Sequence, residues 1–199
     1  MAVTRLLVAT TNRDKLHEIQ RLLAGIDFDI VTLERWPDVV APDETGNTFD
    51  ENARAKAEHY ARATGELTVA EDSGLEIDAL GGAPGVESAR FGGADTTYPE
   101  KFTLIYDALR AAGAATSTAR FVCALALARP GAILFETRGT VEGRIAAAPS
   151  GTDGFGYDPI FFYPPFGGTL AEVGVRKSDV SHRGQAFRAL RAFLEENPL

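Results

Sequence analysis

Cysteine, histidine and long apolar runs are scarce in this sequence, and each scarcity excludes a class of function. The single cysteine, Cys123, excludes an internal disulfide and a cysteine-based zinc cluster, and it agrees with a reducing cytoplasm, where we expect the protein. The histidines His17, His59 and His182 stand far apart, and none has the spacing of a zinc-binding pair. No apolar run approaches the ~20 residues that cross a membrane, so we expect no membrane partner.

Bases are also outnumbered, with 28 acids against 20 lysines and arginines and a formal charge of −8. Binding to nucleic acid through its phosphates needs clustered lysine and arginine, so we expect no nucleic-acid partner. A small anionic ligand stays compatible with this charge, because a few local cations or a metal can hold it. The 199 residues contain no repeats and no linker-like stretch, which predicts one domain over residues 1–199.

Apolar runs alternate with helix signals along the first half of the chain, which predicts an α/β fold. Predicted strands cover residues 5–10, 28–33, 67–70, 121–128, 133–137 and 139–145. Predicted helices begin at the N-caps Asn12 and Thr48, the second ending at Gly65, and others cover residues 98–112 and 185–196. The consecutive late strands make the sheet mixed rather than purely parallel.

The stretch ATTNRDK, residues 9–15, stands where the first strand turns into the first helix. Free backbone N–H groups and the helix dipole favour an anion at such a turn. Thr10, Thr11 and Asn12 add side-chain donors, and Lys15 adds a cation one turn into the helix. The stretch is neither a Walker A loop nor a dinucleotide fingerprint, and an ordinary N-cap is the alternative interpretation.

Acidic residues stand beside turn residues at two places. Glu44 lies in a loop, PDETG, and Glu71 and Asp72 follow an apolar strand in VAEDSG. Magnesium is held by one or two carboxylates together with substrate phosphates. Neighbouring strand residues point to opposite faces, so these two acids share a task only if the chain bends, and Ser73-Gly74 would supply a bend. A solvated strand end is the alternative, but the placement favours a metal site where the strand ends.

Two further stretches combine turns with groups that could hold a base or a phosphate. GTDGFGYDP, residues 151–159, brings Phe155, Tyr157 and Asp158 among glycines, where a ring can stack on a base and a carboxylate can accept from a ring N–H. KSDVSHRGQ, residues 177–185, groups cationic and polar donors just before the last helix. The alternatives are an aromatic-packed turn and a basic surface turn. Taken together, the stretches describe a site for a nucleoside triphosphate and its metal.

Five motifs occur in one order along the chain: TxNxxK, ETG with TFxENAxxKA, EDSGLxxDALxGAPGxxSARF, GFGYDPIF and KxxxSHRGQA. As a set they resemble the inosine/xanthosine triphosphate pyrophosphatases, over nearly the whole chain. The resemblance implies hydrolysis of ITP, dITP and XTP to the monophosphate and pyrophosphate with Mg²⁺, by a homodimer that cleanses the nucleotide pool. It also implies an elongated α/β fold with a long central mixed sheet flanked by helices, in two lobes with the active-site cleft between them.

The same resemblance assigns roles to individual residues. Triphosphate-binding roles fall to Thr10, Thr11, Asn12, Arg13, Asp14 and Lys15, with Lys56 nearby. Glu44 and Asp72 would bind the metal, Asp72 would also accept the proton of the attacking water, and Ser73 would touch substrate. The base would be received by Phe155, Gly156, Tyr157 and Asp158, with Lys177, His182 and Arg183 completing its pocket.

Two positions depart from the family pattern. Glu71 stands where the family commonly has aspartate, which changes the reach of that acid. Thr11 stands where it commonly has glycine, and a Cβ there would be strained if that glycine has a positive φ. These departures leave open a second hypothesis, a nucleotide-sensing module that binds without turnover. A plain structural α/β domain would not explain why acids, donors and glycines recur together.

Overall fold

A computed structural model describes residues 4–174 and 177–197, so the ends of the predicted domain 1–199 lie outside the described residues. Within them, seven strands form one sheet in the order β2-β1-β3-β4-β5-β6-β7. The strands are β1 (Arg5–Val8), β2 (Asp29–Thr32), β3 (Leu67–Ile77), β4 (Thr118–Arg129), β5 (Ala132–Ile145), β6 (Phe161–Tyr163) and β7 (Gly168–Thr169). The helices are α1 (Arg13–Leu22), α2 (Phe49–Thr64), α3 (Tyr98–Ala111), α4 (Lys177–Val180) and α5 (His182–Glu196).

The sheet is mixed, as predicted. Strand β1 pairs in parallel with β2 and β3, so that Leu6 lies opposite Ile30 on one side and Leu67 on the other. Strand β6 pairs antiparallel with both β5 and β7. The α/β class with a mixed sheet flanked by helices is therefore confirmed. No helix in the described part of the chain is long and apolar enough to cross a membrane.

The chain divides into two compact units, each with its own core. The first unit comprises the described residues of Met1–Asp72, Cys123–Gly139 and His182–Leu199. Its core is formed by apolar residues of β1, β3 and β4 and of helices α1 and α5, among them Leu6, Ile19, Val69, Leu125 and Phe187. The same segments carry Thr10 to Lys15, Glu44, Lys56 and Asp72, so this core supports those predicted site residues.

The second unit comprises Ser73–Val122 and Thr140–Ser181. Its core includes Leu75 and Ile77 of β3, Ile105 of α3, and the aromatic residues Tyr157 and Phe161. The rings of Phe121 and Phe161 pack with their centroids 4.6 Å apart. Tyr157, predicted to receive a base, is only 3% exposed and belongs to this core.

The predicted helix ends around the site are confirmed. The side chain of Asn12 caps α1 by accepting from the backbone N–H of Lys15 at 3.1 Å, and Thr48 caps α2 by accepting from Glu51 at 3.1 Å. Each such cap stabilises its helix by about 1 kcal/mol. Helix α2 ends at Gly65, whose φ of 76° is the left-handed conformation that glycine adopts without strain.

Strand β3 corrects one prediction. It does not end at Glu71 and Asp72 but continues without a bend from Leu67 to Ile77. Gly74 is therefore no turn residue and has no positive φ. A Cβ at that position would lie 2.7 Å from the carbonyl oxygen of Gly85 and 2.8 Å from the Cβ of Ser88. Glycine is needed at this point because another segment packs directly against the strand.

Two element boundaries also differ from the prediction. Strand β5 is one strand from Ala132 to Ile145, with no break at Arg138. Helix α5 begins at His182, three residues earlier than the predicted start, so His182 and Arg183 lie in its first turn rather than before it. The low helix propensity of Gly184 favours a helix that begins after it. Gly184 is buried, however, and here tertiary packing outweighs that propensity.

Candidate active site

The turn between β1 and α1 has the form of an anion site. The hydroxyl oxygen of Thr10 accepts from the backbone N–H of Asn12 at 3.2 Å, and Asn12 then caps the helix. Thr11, Asn12, Arg13 and Asp14 are exposed, so ligand has access to the first turn. Among the described residues no residue other than glycine has a positive φ, so Thr11 fits this turn without backbone strain.

Glu71 lies on a buried side of β3, inside a network of charges. Its Oε1 pairs with Lys15 Nζ at 2.7 Å, and its Oε2 pairs with Arg183 Nη2 at 3.4 Å. Arg183 Nη1 also donates to Glu18 Oε2 at 2.8 Å. The thiol of Cys123 donates to Glu71 Oε2 at 3.3 Å. Two acids and two bases thus compensate one another in the first unit.

The pKa values in this network follow from its charges. Burial raises the pKa of Glu71, but Arg183 and Lys15 outweigh it, and the net pKa lies well below the usual value. Burial and the nearby Glu71 carboxylate raise the pKa of the Cys123 thiol well above its usual value. Glu71 is therefore favoured in its ionised form, and the raised pKa of the Cys123 thiol disfavours the thiolate that a nucleophile needs.

Asp72 lies on the other side of β3 and contacts helix α2. Its Oδ1 accepts from Lys56 Nζ at 3.2 Å, and its Oδ2 accepts from the side-chain amide of Asn52 at 3.1 Å. Lys56 Nζ also donates to Glu44 Oε1 at 2.5 Å. One ammonium group thus joins the two carboxylates that the sequence predicts as metal ligands.

Burial and charge act on these groups in opposite directions. Burial raises the pKa of Asp72, Lys56 lowers it and Glu44 raises it, and the net pKa is raised. For Lys56, burial lowers the pKa, but the charges of Asp72 and Glu44 raise it above the usual value. A carboxylate with a raised pKa is a stronger base than an exposed one, which suits it to accept a proton.

The donor set fits a hard divalent cation. Glu44 and Asp72 supply carboxylate oxygens that already converge on one positive charge, the Lys56 ammonium. Within residues 4–174 and 177–197, no three or more His, Cys, Asp or Glu side chains form a group that could hold a metal. Two carboxylates alone are the protein contribution that Mg²⁺ commonly takes, since substrate phosphates and water complete its shell.

The stretch 154–158 lies in the second unit and is ordered by its own side chains. Asp158, 1% exposed, accepts from the backbone N–H of Phe155 at 2.9 Å and pairs with the Lys177 ammonium. That ammonium also lies 4.8 Å from the centre of the Phe155 ring. Gly154 and Gly156 supply the φ values of 74° and 70° that this turn requires. Phe155, Asp158 and Lys177 thus form one group.

Tyr157 has a structural role in the same unit. Its hydroxyl donates to the carbonyl oxygen of Ser88 at 2.8 Å, and burial raises its pKa. Ser88 in turn accepts from the backbone N–H of Leu75 at 2.9 Å and donates to the carbonyl of Gly85 at 2.6 Å. Ser73, the residue predicted to touch substrate, lies on β3 two positions before Leu75.

The predicted site residues therefore form three groups. Two of the groups belong to the first unit: one comprises Thr10–Lys15 with Glu71, His182 and Arg183, and the other comprises Glu44, Lys56 and Asp72. The third belongs to the second unit and comprises Ser73, Phe155–Asp158 and Lys177. His182 is 5% exposed and Arg183 is 2% exposed. Arg183 is thus held by Glu18 and Glu71 in the first unit.

The sequence reasoning missed four residues at these groups: Glu18, Asn52, Ser88 and Cys123. A signal existed for Asn52, since it stands four positions before Lys56 and so shares its face of helix α2. No local pattern identifies Glu18, Ser88 or Cys123, because each contacts a partner more than ten residues away in the chain.

Comparisons with known proteins place the chain among relatives of the same kind over nearly all of its length. The family model of the Ham1 family matches residues 6–193. A dITP/XTP pyrophosphatase of Exiguobacterium sp. is 46% identical over 189 residues, which cover 94% of this chain and 95% of the relative. A dITP/XTP pyrophosphatase of Gloeobacter violaceus is 50% identical over 186 residues, covering 93% of this chain and 91% of the relative.

A solved structure gives the same result for the fold. The structure of a HAM1 protein from Coxiella burnetii has a TM-score of 0.91 and 40% sequence identity to this chain. The match covers 98% of this chain and 100% of that one.

Proposed function

This chain belongs to the Ham1 family, and on that premise we propose that it hydrolyses ITP, dITP and XTP to the nucleoside monophosphate and pyrophosphate. The enzyme removes purine triphosphates that carry a 6-oxo base other than guanine from the nucleotide pool. The observation that carries the proposal is the pair of carboxylates, Glu44 and Asp72, joined by Lys56 at 2.5 and 3.2 Å. Acids and a lysine so arranged suit the chemistry of a phosphoanhydride and a cation.

The triphosphate binds at the start of helix α1. Backbone N–H groups of the first turn and the side chains of Thr10 to Asn12 donate to phosphate oxygens. Lys15 lies on α1 one turn after Asn12, and its ammonium is held by an ion pair of 2.7 Å with Glu71. Arg13 adds an exposed cation beside Asp14.

Glu44 and Asp72 hold Mg²⁺ in this proposal. When bound, the metal neutralises the negative charge that develops on the leaving pyrophosphate. Asp72 accepts a proton from water, whose oxygen attacks the α-phosphorus in line with the bridging oxygen to the β-phosphorus. The bond between the α-phosphorus and that bridging oxygen breaks, and pyrophosphate leaves with the electron pair. The Lys56 ammonium beside both acids lowers the pKa of Asp72 against the effect of burial, and so favours the ionised carboxylate that accepts the proton.

The base is recognised by the group of Phe155, Asp158 and Lys177 in the second unit, and Ser73 of the same unit touches substrate. The Phe155 ring offers a stacking surface, and cationic donors favour a 6-oxo purine over the 6-amino group of adenine. A buried donor that faces another donor costs about 1–3 kcal/mol, which corresponds to roughly 5- to 160-fold in discrimination. Arg183 lies in the first unit, where its two carboxylate partners hold it, and its contact with the base stays a prediction.

The assembly and location are part of the same proposal. A homodimer in the cytoplasm follows from the family resemblance, and the location is supported by the single cysteine. Cys123 is buried, and with no second cysteine in the sequence it forms no internal disulfide, as suits a reducing compartment.

The test is release of pyrophosphate from ITP, XTP, GTP and ATP at matched concentrations, with Mg²⁺ and with EDTA. Fast release from ITP and XTP that stops in EDTA supports the enzyme, its substrates and its metal. Tight binding of ITP with no pyrophosphate in any condition would overturn the proposal and favour a nucleotide sensor. Equal turnover of all four nucleotides would overturn the assignment of substrate specificity.

A further inference from the structure

Asn52 lies beside the proposed catalytic acid, although none of the motif assignments gave it a role. Its side chain is 2% exposed on helix α2, one turn before Lys56. The amide nitrogen donates to Asp72 Oδ2 at 3.1 Å, and the amide oxygen accepts from the backbone N–H of Gly46 at 2.8 Å. Asn52 thus connects Asp72 with the segment that carries Glu44.

The orientation of this amide is fixed by its partners. A backbone N–H can only donate and an ionised carboxylate can only accept, so a flipped amide would lose both hydrogen bonds. The two oxygens of Asp72 therefore have different partners, Asn52 at Oδ2 and Lys56 at Oδ1. Rotation of the Asp72 carboxylate is opposed on both sides.

Asn52 and Lys56 make two parallel connections from α2. Lys56 reaches the loop through the side chain of Glu44, and Asn52 reaches it through the backbone of Gly46. Both residues then contact Asp72. Because they stand four positions apart on one helix, they share one face and act from one rigid support.

The backbone of Gly46 is fitted closely to this amide. Gly46 has no positive φ, so its conformation does not require glycine. A Cβ at Gly46 would lie 2.6 Å from Oδ1 of Asn52 and 2.9 Å from the Cβ of Glu51. Even an alanine would displace the amide or the loop, so close approach explains the glycine.

We propose that Asn52 is a positioning residue, which holds the Asp72 carboxylate and the Glu44 segment together so that both acids face one cation. The inference rests on the proposed function, because the roles of Asp72 and Glu44, which Asn52 holds together, come from that proposal. Asn52 acts through Asp72 and Gly46 and does not itself touch substrate. Removing it changes the geometry of the acids while leaving the phosphate-binding turn at Thr10 to Lys15 intact.

The experiment compares Asn52→Leu, which keeps the size of the side chain and removes both hydrogen bonds, with Gly46→Ala, which displaces the amide from the other side. Ala61→Gly on the same helix is the control for lost stability, because Ala61 is buried and its methyl group makes no hydrogen bond to Asp72 or to the Glu44 segment. Two quantities are measured: kcat and KM for ITP, and the affinity of the nucleotide-free protein for Mn²⁺ by electron paramagnetic resonance. Thermal unfolding is recorded for every variant.

We expect Asn52→Leu and Gly46→Ala each to lower kcat or Mn²⁺ affinity by about 10- to 100-fold, as removal of groups behind metal ligands does elsewhere. KM for ITP should stay within about threefold of wild type, since the phosphate-binding turn is unchanged, and Ala61→Gly should change neither quantity. Values of kcat and Mn²⁺ affinity within about twofold of wild type in both variants would overturn the inference. The inference would also be overturned if Ala61→Gly, at the same thermal stability as the two variants, lost as much kcat and Mn²⁺ affinity as they do.

The proposed function is judged separately, on the wild type. Wild-type protein that binds Mn²⁺ but releases no pyrophosphate would overturn the proposed function, and the inference would then be decided by the Mn²⁺ affinities of the variants. Wild-type protein that neither binds Mn²⁺ nor releases pyrophosphate would overturn both.

Discussion

Glu71 and Asp72 are neighbours in the chain, yet their carboxylates lie on opposite sides of strand β3 and contact different helices. Glu71 pairs with Lys15 of α1 and Arg183 of α5, whereas Asp72 contacts Asn52 and Lys56 of α2. The alternation of a strand produces this separation, because successive side chains point to opposite faces.

The two environments set the two acids to different tasks. Glu71 has a lowered pKa and is compensated by two cations inside the protein, so it organises Lys15 and Arg183. Asp72 has a raised pKa and shares Lys56 with Glu44. Of these two acids, Asp72 is therefore the one to which we assign the proton transfer and, with Glu44, the cation.

The first prediction concerns the pH dependence of stability through Glu71. Its folded pKa lies below the unfolded value of 4.5, so ionised Glu71 stabilises the fold above that pH, and the contribution is lost as the pH falls through the folded pKa. Glu71→Gln should therefore be less stable than wild type at neutral pH, with a difference that shrinks below 4.5. Urea denaturation of both proteins, from neutral pH to below the unfolded pKa of Glu71, measures this difference in unfolding free energy. A difference that grows as the medium becomes more acidic would contradict the assigned direction.

The second prediction concerns the buried Arg183. Arg183→Ala removes the cation that pairs with both Glu18 and Glu71 and leaves Glu71 its pair with Lys15; breaking a buried ion pair from one side destabilises a protein by about 3–5 kcal/mol. The matched control is Arg62→Ala, which removes an exposed pair with Glu58 and should change stability by less than about 1 kcal/mol. Chemical denaturation of both variants tests this. Equal losses in the two would show that the buried network is not what holds this part of the fold.

The third prediction concerns the packing of Gly74 against Ser88. Gly74→Ala places a Cβ 2.7 Å from the carbonyl oxygen of Gly85, and overpacking of this kind costs about 1–3 kcal/mol. The cost should be smaller in a Ser88→Gly background, because the Cβ and hydroxyl of Ser88 are then gone. A double-mutant cycle of unfolding free energies measures the coupling, and additive costs would contradict the close packing.

The fourth prediction concerns the phosphorus atom that is attacked. With ITP in water enriched in a heavy oxygen isotope, attack at the α-phosphorus places the label in the monophosphate and leaves pyrophosphate unlabelled. Mass spectrometry of the two products distinguishes the atoms. Label in pyrophosphate would mean attack at the β-phosphorus, and the role assigned to Asp72 would then need another geometry.

Much of this arrangement could be predicted because its signals are local. Asn12, Thr48 and Gly65 were identified as helix ends by sequence alone, since a cap depends on a few adjacent residues. The alternation that separates Glu71 from Asp72 is likewise local, and the structure agrees with it. The strand signals of β1 and β3 were read from short apolar runs.

What could not be predicted depends on contacts between distant segments. Gly74 follows Ser73 in a pair typical of a turn, but glycine is needed there because Ser88, fourteen positions later in the chain, packs against it. The continuation of β3 through two charged residues is stabilised by partners from three helices, which no local pattern reports. The bond from Asn52 to Asp72 spans twenty residues for the same reason.

The most direct test of the account is the turnover of ITP by Asp72→Asn beside wild type under saturating Mg²⁺. The substitution keeps the shape of the side chain and removes the proton acceptor together with one ligand charge. We expect kcat to fall by at least roughly 10²- to 10⁴-fold, with the folded state confirmed by circular dichroism. A turnover number near that of wild type would contradict the assignment of Asp72 as the group that activates water.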